Sequence, residues 1–141
     1  MKKFGTAVWH GGFENGSGAI STESGALAAY PYGFSSRFEG RPGTNPEELI
    51  GAAHAGCFTM ALSLILADAG FTADSLETRA DVTLEKLDDG FAITAVHLTL
   101  RAEVPGLTAA AFDDLATKAR VGCPVSKALK AVVTLDAALT D

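Results

Sequence analysis

Cysteine is scarce in this sequence. Two thiols, Cys57 and Cys123, stand 66 positions apart among 141 residues, which supplies neither a disulfide framework nor a CxxC spacing for metal or redox work. Basic residues are also few. Eleven Lys and Arg face seventeen Asp and Glu, a net charge of -6, so the summed field repels phosphate backbones and anionic lipid headgroups; neither nucleic acid nor a membrane is expected as a partner. The opening "MKKFGTAVWHGGF" carries two lysines but no sustained apolar block behind them, so no secretory leader is expected and the chain is placed in the cytoplasm. Internal repeats, low-complexity segments and linkers are lacking as well. A length of 141 residues suits a single domain, 1–141, able to hide roughly two-thirds of its unfolded surface.

What the chain does hold is a long apolar run, "NPEELIGAAHAGCFTMALSLILADAG", residues 45–70. Asn45 followed by Pro46, Glu47 and Glu48 reads as a helix start: a capping side chain, proline at the first turn, and carboxylates at the positive end of the dipole. Gly70 suits the left-handed position that ends a helix. Before this run, "TAVWH", "GAIST" and "YGFSSRFE" predict three short strands separated by glycine-rich turns. After it, residues 76–103 predict a hairpin. A three-residue loop, Asp88 to Gly90, pairs Ala80 with Leu98, Val82 with Val96 and Leu87 with Phe91, keeping apolar side chains on one face with Gly90 at a bulge. "TAAAFDDLATKAR" predicts a helix capped by Thr108, "GCPVSKALK" a short helix with Pro124 first, and "AVVTLDAAL" a closing strand. Strands and helices do not alternate as repeated βαβ units, and the class is α+β.

Between Leu49 and Ala67 the only ionisable side chains are His54 and Cys57. A membrane span fits the length. Alanine and glycine make up seven of these nineteen residues, acids flank both ends, and no Lys or Arg lies close enough to orient it, which disfavours that reading. A helix apolar all round in a water-soluble fold must be covered on every side. So few strands cover two sides, and the remaining face is expected to meet a second copy of the chain.

Burial makes Cys57 either inert filler or a reagent that needs help, because desolvation disfavours the thiolate that acts as nucleophile. A reactive Cys57 requires a cation, and arginine keeps its charge when buried while lysine can lose it. Arg37, in "SSRFEG", is the nearest candidate; on spacing alone it is equally a solvated strand residue. Cys123, followed by Pro124, falls at a helix N-cap where backbone N–H groups favour a sulfur anion. His54 and Cys57, three apart on one helix, also permit a Cys-His hydrolase, without a visible oxyanion loop or orienting third group. His10, His54, His97 and the two cysteines lack any metal-ligand spacing. A non-catalytic dimeric protein that binds small apolar molecules would use the same buried seam.

Two blocks settle on a family. "YPYGFSSRFEGRPGTNPEELIGAAHAGCFTMALSL" and "TKARVGCPVSKALKA" closely resemble the OsmC branch of the OsmC/Ohr family, and "STESG", "GFAIT" and "VTLD" extend the resemblance over nearly the whole chain. The resemblance implies a thiol-dependent peroxidase of antioxidant stress defence, reducing organic hydroperoxides and, less readily, hydrogen peroxide. It implies an interlocked homodimer with two antiparallel sheet regions around a long buried central helix. Cys57 takes the peroxidatic role, Cys123 the resolving role, Arg37 the role of activating cation, and Glu47 that of its carboxylate partner. No cofactor or metal is implied; a dithiol reductant is, either a lipoylated protein or a small dithiol. His54 stands where the Ohr branch has tyrosine. Ten helical residues between Glu47 and Cys57 rise about 15 Å, too far for one arginine to engage both in one chain unless the helix starts late or kinks near Gly51, so Arg37 is expected to come from the partner subunit.

Overall fold

The computed structural model describes residues 1–140 and contains two compact units, Met1–Leu49 and the chain from Ile50 onward. In the first, β1 (Gly5–His10), β2 (Ser17–Thr22) and β3 (Tyr30–Tyr32) form an antiparallel sheet in the order β1-β2-β3. The third predicted strand is overturned beyond Tyr32. Residues Phe34–Phe38 form the short helix α1, in which Ser36 Oγ accepts from the Gly33 N–H at 2.9 Å and donates to the Thr44 carbonyl at 2.8 Å. Phe34 and Phe38, four apart, stack their rings 5.0 Å apart, a helical pairing that alternation had disguised as a strand. Arg37 is therefore a helix residue.

Helix α2 runs Pro46–Asp68. Asn45 caps it as its spacing predicts, with Oδ1 accepting from the Glu48 N–H at 2.8 Å and Nδ2 donating to the Glu48 carboxylate at 3.0 Å. It begins at Pro46, so a late start is not available. At the far end Gly70 takes a φ of +86°, its N–H bonds to the Ala67 carbonyl and that of Phe71 to the Leu66 carbonyl, a Schellman termination.

In the second unit β4 (Ser75–Leu87) and β5 (Gly90–Glu103) form the long hairpin. Ala80 pairs with Leu98 and Val82 with Val96, as expected. Near the turn the register differs: Leu87 pairs with Gly90 rather than Phe91, and the odd residue is absorbed by an irregularity after Thr83, where Leu84 pairs with Ile93. Leu87 and Phe91, beside the turn, are both exposed, so burial fixed the far register and left the position of the bulge open. Helices α3 (Ala109–Gly122) and α4 (Pro124–Ala128) follow, and Thr108 Oγ1 accepts from the Ala111 N–H at the start of α3.

The last strand, β6 (Val132–Thr140), pairs with β5 in parallel, Leu98 against Leu135. The α+β class holds with this amendment: the second sheet, β4-β5-β6, is mixed rather than antiparallel, and β5–α3–α4–β6 is one βαβ crossover. A parallel neighbour needs a long connection, and α3 and α4 provide it.

Alternate residues of β5 (Val96, Leu98, Leu100, Ala102) form the core with Phe58, Leu62 and Leu66 of α2 and Phe112, Ala116 and Ala119 of α3. Gly51 lets α2 approach β4: a Cβ there would sit 3.1 Å from the Ala80 carbonyl oxygen. The expected all-round burial of α2 is not met within one chain. Its buried residues form a single stripe, Gly51, His54, Phe58, Leu62 and Leu66, whereas Met60 and Leu64 are 78% and 64% exposed. By length and apolarity alone α2 could cross a membrane.

Replacing Gly70 by alanine forces a Cβ into the left-handed region and is expected to lower stability by ~1–2 kcal/mol, whereas Gly70→Asn costs less. Urea unfolding curves of the two variants check the order.

Candidate active site

The four candidate residues assemble as two pairs, one in each unit. In the first, Arg37 and Glu47 form a forked ion pair. Arg37 Nη2 donates to Glu47 Oε1 at 2.6 Å, and Nε lies 3.1 and 3.2 Å from the two carboxylate oxygens. This two-point grip fixes the guanidinium plane. The glutamate side chain is only 12% exposed, the arginine 33%, so the pair is partly withdrawn from water. Arg37 Cζ lies 5.4 Å from the centroid of the Phe38 ring. It also forms one wall of an aromatic pocket of about 190 Å³ lined by Trp9, Phe13, Tyr32, Phe34 and Phe38. No pattern in the sequence announced this pocket, since its aromatics come from β1, the following turn, β3 and α1.

In the second unit Cys57, in the middle of α2, meets Cys123, the residue joining α3 to α4. Both are free thiols; Cys57 is half-buried and Cys123 wholly buried. Pro124 at the first position of α4 makes Cys123 the N-cap of that helix, as its spacing predicts. Its sulfur makes no capping hydrogen bond. Burial alone would push the Cys123 thiol up; the Ser126 N–H, the Cys57 thiol, the Ser126 hydroxyl and the Val125 N–H together outweigh it and bring the group below its ordinary value. Cys57 moves the other way. Burial raises it first, then the hydrogen bond it gives to Cys123 and the charge on that sulfur, with only the Val125 N–H opposing. Of the two thiols, Cys123 is thus the more acidic and Cys57 the less.

Cys57 also lines an open, mostly apolar groove of about 550 Å³ with Met60, Ala61, Ser63, Leu64, Ala67 and Pro124. His54 does not face Cys57. Its Nε2 is 2.7 Å from Ser126 Oγ, the side chain is fully buried, and burial lowers its pKa, which keeps the ring neutral. The Cys-His hydrolase pairing is therefore absent. Ser126 went unremarked in the sequence; its signal was its place three residues after an N-cap cysteine, where a side chain turns back toward the cap.

The α+β chain brings two reduced thiols into one neighbourhood. Residues 38–137, which include Glu47, Cys57 and Cys123, match the profile of the OsmC-like protein family. The chain is 58% identical over 136 residues to the peroxiredoxin OsmC of Escherichia coli (strain K12), covering 96% of this chain and 95% of that protein. It is 30% identical over 115 residues to the organic hydroperoxide resistance protein OhrB of Bacillus subtilis (strain 168), covering 81% and 82% of the two chains. The crystal structure of Bacillus subtilis OhrB superposes with a TM-score of 0.68 at 27% identity, over 97% of this chain and 98% of that one. An OsmC-like protein from Mycoplasma pneumoniae shares the fold with a TM-score of 0.78 at 15% identity, covering all of this chain and 99% of that one. This protein belongs to the OsmC-like family.

The two thiols should shift each other in opposite senses. Cys123→Ala removes the hydrogen bond and the charge that hold the Cys57 thiol up, so Cys57 should be alkylated from a lower pH than in the parent. Cys57→Ala removes a donor from Cys123, which should then be alkylated only from a higher pH. Iodoacetamide rates measured across pH on each single-cysteine variant check both signs.

Proposed function

We propose that this protein is a thiol peroxidase that reduces organic hydroperoxides to alcohols, with hydrogen peroxide a poorer substrate. The observation that carries the reading is the meeting of Cys57 and Cys123, from 66 positions apart, as reduced thiols near enough to shift each other's ionisation. The relatives' names, a peroxiredoxin and a hydroperoxide resistance protein, support the same class. Apolar walls beside both Arg37 and Cys57 suit an alkyl substituent on the peroxide.

The Cys57 thiolate attacks one peroxide oxygen, the O–O bond breaks, an alcohol leaves after protonation, and Cys57 becomes a sulfenic acid. The Cys123 thiolate then attacks that sulfur, an S–S bond replaces the S–O bond, and hydroxide departs as water. Two electrons from an external dithiol, a lipoylated protein or a small molecule, return both cysteines to thiols. Arg37 stabilises the Cys57 thiolate and the developing alkoxide, and Glu47 orients the guanidinium. No metal or cofactor takes part.

The functional unit is a cytoplasmic homodimer of a single domain, 1–141. The exposed apolar face of α2, with Met60 and Leu64, is the surface a second copy covers. Because α2 begins at Pro46, about 15 Å of helix separates Glu47 from Cys57, and the Arg37–Glu47 pair of one subunit serves the thiols of the other.

Adding an alkyl hydroperoxide to the reduced protein should remove both thiols and yield a reducible disulfide, and Cys123→Ser should stop at the sulfenic acid. A protein that merely bound apolar molecules would keep both thiols. Sedimentation at micromolar concentration should give a dimer, and mixing inactive Arg37→Ala and Cys57→Ser subunits should restore part of the activity; no recovery after proven subunit exchange would refute the shared site.

A further inference from the structure

His54 is buried to 0% exposure inside α2, touches neither proposed reactant, and uses only one of its ring nitrogens. Its Nδ1 is the buried side-chain polar atom without a hydrogen-bond partner among the described residues. Its other nitrogen, Nε2, meets Ser126 Oγ at 2.7 Å, across 72 positions of sequence. Ser126 in turn occupies the third position of α4, whose N-cap is Cys123, one helical turn back along the chain.

A serine hydroxyl carries a single proton. With His54 Nε2 as the donor of the 2.7 Å bond, that proton remains for Cys123. The orphan atom selects this tautomer. With its hydrogen on Nε2, the unpartnered Nδ1 is a bare acceptor; with its hydrogen on Nδ1, the ring would bury an unpaired N–H, the rarer and costlier defect. The groups acting on the Cys123 sulfur from the packed elements are the Cys57 thiol of α2, His54 of α2 through Ser126, and the Val125 and Ser126 N–H groups of α4.

We propose that His54 and Ser126 form a one-way donor chain, His54 Nε2–H to Ser126 Oγ–H to Cys123 Sγ, that holds Cys123 as the resolving thiolate. The chain rests on the peroxidase reading for its use in turnover. When Cys57 becomes a sulfenic acid, Cys123 attacks it as the anion these donors favour. On reduction, an incoming thiolate attacks Cys57 Sγ, the S–S bond breaks, and the electron pair leaves on Cys123, where the same donors receive it. Ser126 touches a reacting atom; His54 is a positioning residue.

Stabilising an anion also makes it less nucleophilic, and the balance gives a signature that loose packing would not produce. Losing a hydrogen bond to a charged sulfur should cut the thiolate population near neutral pH by about tenfold. The freed thiolate is about threefold more nucleophilic per tenfold of basicity, so closure in Ser126→Ala should be roughly threefold slower at neutral pH and about threefold faster in alkali. The two pH–rate curves should therefore cross. Single-turnover reactions with an alkyl hydroperoxide, quenched in acid and weighed by mass spectrometry, separate the sulfenic acid from the disulfide by one water.

A second measurement stands apart from turnover: the alkylation-versus-pH curve of Cys123 in a Cys57→Ala background. Ser126→Ala should move it to higher pH, His54→Leu should move it in the same direction, and His54→Gln, which keeps an N–H near the place of Nε2, should restore much of the parent curve. If hydroperoxide leaves the parent's thiols intact, the peroxidase reading fails and this titration alone decides the donor chain. An unchanged Cys123 curve in folded Ser126→Ala overturns the chain, and an unchanged curve in folded His54→Leu overturns the part given to histidine.

Discussion

A sulfur anion in an apolar setting is the constraint around which the second unit is arranged. Removing a thiolate from water is unfavourable unless donors or a cation replace the lost hydration. The chain answers this differently for its two cysteines. Cys123 sits at the start of α4, where N–H groups, a hydroxyl and a neighbouring thiol converge on it. Cys57 sits in mid-helix, where its own backbone N–H is committed to the α-helical ladder and no local donor is spare.

That difference divides the labour between them. The cysteine with local donors is the more acidic of the two, and a stabilised anion is an asset in a resolving and leaving group. The cysteine without them is the less acidic. The forked Arg37–Glu47 pair is a cation held in place: its plane is fixed by two contacts and its glutamate is largely shielded from water. A guanidinium cannot surrender its proton as a lysine can.

The apolar surplus of α2 belongs to the same design. Only one stripe, Gly51 to Leu66, enters the core of its own chain, and Gly51 gives up a side chain so that the helix can approach β4. The exposed Met60 and Leu64 border the groove that contains Cys57. Closing such a groove would exclude water from the reacting sulfur and strengthen every charge placed near it.

Much of this was written locally in the sequence. Asn45-Pro46 and Gly70 fix both ends of α2 because capping depends on a few adjacent backbone groups, and Cys123-Pro124 announces its own N-cap for the same reason. The far register of the β4–β5 hairpin followed from which residues must face inward. Other features depended on contacts between distant segments. "FSSRF" became a helix because Ser36 ties the turn to Gly33 and Thr44, outweighing a pattern that resembled alternation. The parallel course of β6 follows from a crossover whose length alone does not state a direction. Residue types and spacing named Cys57, Cys123 and Arg37 as candidates and the family resemblance added Glu47, whereas only folding could bring Ser126 to His54, because a hydrogen bond spanning 72 positions leaves no periodicity to read.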